Sequence, residues 1–181
     1  MPGHYLEALF APKSVAVVGA SERAGALGNA VFGNLLAGGF KGALYPVNPK
    51  YSSIHGKPAF STLRELPEKV DLAVIVTPAA AVADVLRDAA AAGIAHAVVL
   101  TAGFGETGAA GRALEEEVTR TARTNGIRLI GPNCLGLMRP SIGLNATFAR
   151  GSARPGSIAL ISQSGAICAA LADWEIGRAH V

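Results

Sequence analysis

Short apolar runs and longer amphipathic stretches alternate along this chain. Val15–Val18 is a β-branched run closed by Gly19, which reads as a strand buried on both faces. A loop follows, and Asn29–Leu36 predicts a helix ending at Gly38-Gly39. Ala43–Val47 predicts a second strand, ending in Asn48-Pro49-Lys50, and Val70–Val76 a third, closed by Thr77-Pro78. The Ala-rich stretch Ala80–Ala92 predicts a helix stopped by Gly93. Ala95–Leu100 predicts a fourth strand, Gly111–Asn125 a charged amphipathic helix, and Ile127–Ile130 a fifth strand running into Gly131-Pro132-Asn133-Cys134.

Strands alternating with helices at this spacing predict an α/β fold with a parallel sheet and right-handed crossovers. In such sheets ligands bind at the carboxyl ends of the strands. The loops Gly19–Gly28, Asn48–Lys50, Thr77–Pro78, Thr101–Gly105 and Gly131–Cys134 are therefore expected along one edge. After Met138 the pattern changes. Arg150–Gly156 reads as a linker, Ser157–Ile161 as a strand, and Ser162–Gly165 as the opening of a helix. These last elements are expected to begin a second α/β unit. The heptapeptide Glu175–Val181 breaks the apolar helix pattern after Trp174 and is what a common sequencing adapter would encode in frame. The expected organisation is residues 1–150 as one domain, 151–174 as the start of another, and 175–181 as a non-native tail.

Composition narrows the classes. Of 181 residues, 50% are hydrophobic and 16% charged, which suits a buried core. Twenty-two glycines cluster where strands end, as expected of backbone-lined ligand loops. The net charge of +3 comes from scattered residues, with no basic stripe for nucleic acid. No apolar stretch reaches membrane-spanning length, and no signal peptide is expected from Met1–Phe10. Cys134 and Cys168 are too few for a disulfide framework, so a reducing cytoplasm is expected. His4, His55, His96 and His180 lack metal-ligand spacing and read as structural or exposed.

The strand-end loops carry the candidate chemistry. Gly19-Ala-Ser-Glu-Arg-Ala-Gly-Ala-Leu-Gly28 places a glycine at a strand end and offers the next helix's free N–H groups to a phosphate. Ser21 stands where the dinucleotide fingerprint needs its second glycine, and an ordinary strand-to-helix turn is the alternative. The second strand ends in Asn48-Pro49-Lys50, where a nicotinamide site usually carries Asp or Glu. Lys50 can pair with a phosphorylated ribose, as in CoA or NADP, or stand as a solvated surface lysine. Thr77, Pro78 and the small residues after them leave room for a ligand or pack a helix start. Thr101-Ala-Gly-Phe-Gly105 reads similarly, with Glu106 either near the ligand or favouring the helix dipole. Asn133 can donate and accept toward an amide or thioester. Cys134 can line a thiol end or be a buried, inert cysteine, and is not read as a nucleophile. Ser162-Gln-Ser-Gly165 suits a phosphate at a helix N-terminus or a plain serine cap.

Five segments occur in one order: Ser14–Ser21, Tyr45–Lys50, Val74–Pro78, Gly131–Gly136 and Ser162–Ala166. Together they resemble the N-terminal part of ADP-forming acetyl-CoA synthetases, relatives of the succinyl-CoA synthetase α subunit, over about residues 6–174. The resemblance implies a Rossmann-like CoA-binding domain followed by the truncated start of a flavodoxin-like domain. It implies that Gly19, Ser21, Arg23, Gly25 and Gly28 meet the nucleotide end of CoA and Lys50 a CoA phosphate. Thr77, Pro78, Thr101 and Ala102 would line the groove, with Asn133 and Cys134 near the pantetheine thiol. Ser162, Ser164 and Gly165 would receive phosphate.

The family converts acyl-CoA, ADP and phosphate to acid, ATP and CoA, reversibly. An acyl phosphate phosphorylates a histidine that then passes its phosphoryl group to ADP. The resemblance implies that this histidine, the ATP-grasp module (in cis or as a separate subunit), ATP or ADP, and Mg all lie beyond this chain, which would be inactive alone. No catalytic residue is assigned within it. The expected partners are CoA or acyl-CoA and the ATP-grasp module, with no nucleic acid or membrane. Two further classes stay open at this point: a regulatory CoA-binding module of a bacterial protein lysine acyltransferase, and a non-enzymatic nucleotide-sensing domain. An NADP-dependent reductase is disfavoured by the missing second glycine and by the lack of an acid/base pair.

Overall fold

The structure is a computed structural model that describes residues 6–177. His4, His180 and the last four residues of the expected non-native tail lie outside the described residues. A short helix α1 (Glu7–Phe10) leads into β1 (Ser14–Val18), α2 (Leu27–Ala37) and β2 (Ala43–Val47). A two-residue-strand hairpin follows, β3 (Ser53–Ile54) and β4 (Lys57–Pro58). Then come β5 (Leu72–Ile75), α3 (Val82–Ala91), β6 (His96–Val99), α4 (Ala109–Thr124) and β7 (Arg128–Ile130). A second hairpin, β8 (Gly136–Arg139) and β9 (Leu144–Thr147), precedes the final helix α5 (Gly165–Gly177).

Five strands form one parallel sheet in the order β2-β1-β5-β6-β7. The chain starts at β1, steps outward to β2, then crosses back to β5. The order therefore reverses between β1 and β5, which is the Rossmann-like topology, and its ligand crevice opens at that reversal. All five expected strands and the three expected helices between them form, with ends shifted by a few residues.

Every residue of β1 and β5 is buried. Alternate side chains serve opposite faces. Ala16, Val18, Ala73, Ile75, Ala97 and Val99 pack with Val82 and Leu86 of α3 and Val118 and Ala122 of α4. Val15, Val17, Leu72, Val74 and Val98 pack with Val31, Phe32 and Leu35 of α2 and with Leu144 and Ala146 of β9. Pro46 is tolerated in β2 because that strand is at the sheet edge, where its own carbonyl accepts the Phe60 N–H at 3.0 Å.

The hairpin β8–β9 was not expected from the sequence. Its buried polar residues satisfy one another. Thr147 Oγ1 donates to Asn145 Oδ1 at 2.7 Å, and Asn145 Nδ2 donates to the Gly151 carbonyl at 2.9 Å. Asn34 of α2 donates its amide to the Thr147 and Ala149 carbonyls, binding the hairpin to the helix.

The expected strand Ser157–Ile161 does not form. The segment has no strand pairing, with Ile158 95% and Ile161 92% exposed. A strand requires a neighbour for its backbone groups, and nothing in the described residues supplies one. The expected helix after it does form, as α5.

Phe32 is fully buried and stacks on His55 with ring centroids 6.0 Å apart. Phe32→Ala is expected to destabilise the fold by about 3–5 kcal/mol, read as a lower urea midpoint.

Candidate functional site

Because the five strands are parallel, their carboxyl ends share one edge, and the predicted loops meet there. At the end of β1, Gly19 has φ 93° and donates its N–H to the Val47 carbonyl at 2.8 Å. The chain turns through residues 20–26 and enters α2. A Cβ on Gly28 would fall 2.0 Å from the Gly19 carbonyl oxygen, so only glycine lets the helix start this close to the strand end. The N-cap residue of α2 is Ala26, which has no capping oxygen. The first-turn N–H groups of α2 thus face the crevice without a side-chain acceptor, a geometry suited to an anion.

Ser21 is buried. Its Oγ accepts the Arg23 N–H at 3.0 Å and lies 3.2 Å from the Tyr51 hydroxyl. Arg23, Ala24 and Gly25 are exposed on the outside of the turn.

From β2 to β7 the loops form a connected rim. Asn48 donates its amide to the Ala20 carbonyl at 2.8 Å and accepts the Lys50 N–H on its Oδ1 at 3.0 Å. Lys50 is exposed beside this turn. Gly19 sits against Val76, the residue after β5: a Cβ there would lie 3.1 Å from Val76. Thr101 is buried and donates its Oγ1 to the Thr77 carbonyl at 2.6 Å, and its own carbonyl accepts the Asn133 N–H at 2.9 Å. Thr77 Oγ1 is the buried side-chain oxygen that has no partner among the described residues. An orphaned hydroxyl of this kind is costly unless something else bonds it. Pro78 and Ala102 are exposed, and the bond Gly131–Pro132 is cis.

Asn133, with φ 53°, is exposed at the end of β7. Its side chain contributes to holding the Glu106 carboxyl below its ordinary range, after the larger effect of the Gly103 N–H. Cys134 is half-buried, with its Sγ 3.3 Å from the Val99 carbonyl oxygen. Burial pushes its thiol up to about 11.

The structure thus brings Gly19, Ser21, Gly28, Thr77, Thr101 and Asn133 into one rim, with Arg23, Gly25, Lys50, Pro78 and Ala102 on its outer side and Cys134 behind it. Ser162, Ser164 and Gly165 lie apart in the chain, at the start of α5. Ser162 Oγ accepts the Ser164 N–H at 3.0 Å, and Ser164 Oγ accepts the Ile167 N–H at 3.3 Å, the geometry of a serine cap. Sequence reasoning missed Asn48, Tyr51 and His55. His55 donates its N–H to the Glu22 carboxylate and places its ring Nε2 2.9 Å from Asn29 Oδ1. The signal that could have found Asn48 was its position at the strand end, where the side chain reaches the neighbouring loop.

Two grooves lie away from this rim, one along the charged outer face of α4 and one at the opposite edge beside Gly38–Ala43 and Pro140–Gly143. Neither gathers the strand-end residues, apart from Gly105 at the end of the first. Among the described residues, no cluster of side chains suits a metal and no helix is long and apolar enough to cross a membrane.

The sequence is 44% identical over 170 residues to acetate–CoA ligase (ADP-forming) I of Archaeoglobus fulgidus, covering 94% of this chain and 24% of that protein. It is 44% identical over 175 residues to acetate–CoA ligase (ADP-forming) I subunit alpha of Pyrococcus furiosus, covering 94% of this chain and 38% of that subunit. Among solved structures it is similar to dinucleotide forming acetyl-coenzyme A synthetase 1 of Ca. Korarchaeum cryptofilum, in complex with phosphate and ADP. That similarity has a TM-score of 0.89 at 43% identity, and it covers 93% of this chain and 36% of that one. The chain therefore spans between 24% and 38% of the length of these relatives. Residues 13–140 match the family described as CoA binding domain, and the glycine-backed rim falls within that stretch; the chain belongs to the CoA binding domain family.

Proposed function

We propose that this chain is the CoA-binding part of an ADP-forming acyl-CoA synthetase, with CoA held along the rim between β1 and β5. The observation that carries this reading is the end of β2. Asn48 donates its amide to the Ala20 carbonyl and accepts the Lys50 N–H, so a neutral amide stands where a carboxylate would read ribose hydroxyls, while Lys50 stands exposed beside the turn. That is the charge pattern of a site for a phosphorylated ribose rather than for NAD, and Ser21 in place of the fingerprint's second glycine favours CoA over NADP.

The rest of the rim fits the same ligand. The uncapped start of α2 suits the diphosphate, and the close approach allowed by Gly28 gives a bound group access to backbone N–H donors. The unpartnered Thr77 hydroxyl fits a polar group of the pantetheine arm. Asn133 stands at the far end of the rim for an amide or thioester. Bound CoA supplies the thiol that carries the acyl group. Cys134 takes no chemical part in this reading, because its raised thiol stays protonated at neutral pH.

The proposal extends to what the family implies for the whole protein: an ATP-grasp module, in cis or as a separate subunit, that handles ATP or ADP and Mg, and a cytoplasmic setting. Residues 1–150 are proposed as the CoA-binding unit and 151–174 as the opening of a flavodoxin-like unit in which Ser162, Ser164 and Gly165 meet phosphate. Residues 175–181 are proposed as non-native, which the codons of the source gene test.

A thermal-shift series with CoA, NAD and NADP tests the reading. CoA at a hundredfold its Kd is expected to stabilise the protein by about 2.7 kcal/mol, with no shift from either dinucleotide. A shift with NADP and none with CoA would overturn it. Lys50→Ala is expected to weaken CoA about tenfold in calorimetry while leaving dephospho-CoA unchanged, since a lysine–phosphate contact is worth about 1.5–3 kcal/mol before solvent screening. In a Cys168→Ser background, Cys134 is expected to react with iodoacetamide at pH 8 about a hundredfold more slowly than a thiol of ordinary pKa, following the rise from 9.0 to about 11. The sign for stability follows from the same shift. Between those two pH values the unfolded thiol is ionised and the folded one is not, so stability falls as pH rises through that window.

A further inference from the structure

We propose that Tyr51, with His55, is a positioning residue for CoA: it holds the 19–28 loop in its binding conformation before the ligand arrives. This rests on the reading that the loop receives the nucleotide end of CoA.

The bonds within the loop are short-range, from the Arg23 N–H to Ser21 Oγ and from the Ala26 N–H to the Arg23 carbonyl. Its outer residues are exposed, and it contains glycines at 19, 25 and 28. Its shape is instead fixed by a strap from the segment after β2. Asn48 Nδ2 donates to the Ala20 carbonyl at 2.8 Å. The Tyr51 hydroxyl lies 3.2 Å from Ser21 Oγ. The His55 N–H donates to the Glu22 carboxylate. Three consecutive loop residues are therefore each tied to the strap. His55 adds a fourth tie, its ring Nε2 meeting Asn29 Oδ1 at 2.9 Å in the first turn of α2 while the ring stacks on Phe32.

The strap is itself anchored. Ile54 is fully buried in the same apolar cluster as Phe32, and the β3–β4 pairing closes the turn behind it. His55 adopts φ 49°, an unusual conformation for a residue with a Cβ, and it is this turn that presents its N–H to Glu22.

Ser21 makes the Tyr51 contact informative. Its Oγ already accepts the Arg23 N–H, so it has one donor and one lone pair left, and the Tyr51 hydroxyl can use either. Ser21 is thereby oriented from both sides, and Arg23 is held at the lip of the loop. A loop ordered in advance spares CoA the entropy of ordering it, so loss of the strap appears as weaker binding rather than as a weaker fold. Tyr51 is only partly buried, and its ring packs against the core without the hydroxyl.

The test is Tyr51→Phe, with Tyr45→Phe as the control, since the Tyr45 hydroxyl bonds Glu68 instead. Three measurements on the full chain are compared with the unmodified protein. In Tyr51→Phe, amide hydrogen exchange across residues 19–28 without ligand is expected to rise about tenfold, and the calorimetric Kd for CoA to rise by about the same factor. Tm is expected to move by less than about 3 °C, and Tyr45→Phe to change none of these. Unchanged exchange in the loop would overturn the strap whether or not CoA binds. Raised exchange with an unchanged Kd for CoA would overturn the positioning role. Raised exchange in a protein whose unmodified form does not bind CoA would overturn the CoA reading, and with it the positioning role, while the strap itself would stand.

Discussion

A parallel sheet buried on both faces has nowhere to put polar side chains except its two edges. The residues of β1 and β5 lie inside the protein on either side of the sheet, their backbone groups used in the ladder and their side chains apolar. What differs between the two edges is how each is finished. At the amino edge the loops close on one another: the Lys13 N–H donates to the Asp71 carboxylate at 2.7 Å, and the Asp71 N–H donates to Ser14 Oγ at 3.0 Å. At the carboxyl edge the closure is incomplete. Ala26, at the N-cap of α2, brings no capping oxygen, and the buried Thr77 hydroxyl has no partner among the described residues. Burial confines the chemistry to an edge, and unsatisfied backbone and hydroxyl groups say which edge.

That logic explains what the sequence made legible. The apolar runs ending in glycine or threonine marked the strands and, with them, the rim residues Gly19, Thr77, Thr101 and Asn133, because strand ends are local features of a pattern. The hairpin β8–β9 was hidden because its polar residues are buried and yet satisfied: Asn145 and Thr147 bond each other and the nearby backbone, which a reading of hydropathy takes as surface. The segment 157–161 failed in the opposite way. Its apolar run has the composition of a strand, but pairing depends on a neighbour that local sequence does not contain.

The strap residues were missed for a third reason. Asn48, Tyr51 and His55 act on residues 26 to 33 positions away, on a loop from the other side of β2. Asn48 at least stands at a strand end, but nothing in the local sequence of Tyr51 and His55 distinguishes them from ordinary polar loop residues. A contact of that kind becomes visible only once β1 and β2 are paired in register, with Val18 opposite Val47, which brings the two strand-end loops side by side.

The same register gives discrimination between ligands a physical origin. In a sheet of this topology, the residue after β2 faces the ribose of whatever lies across β1. An acidic residue there reads free ribose hydroxyls and repels a ribose phosphate. Asn48 does neither, because its amide carries no charge and bonds the Ala20 carbonyl and the Lys50 N–H. In the proposed site, the loop it braces offers backbone donors, and the exposed Lys50 follows two residues on. One neutral amide thus serves two ends at once in the proposed site: it braces the loop offered to the anion, and it stands where NAD would need a carboxylate.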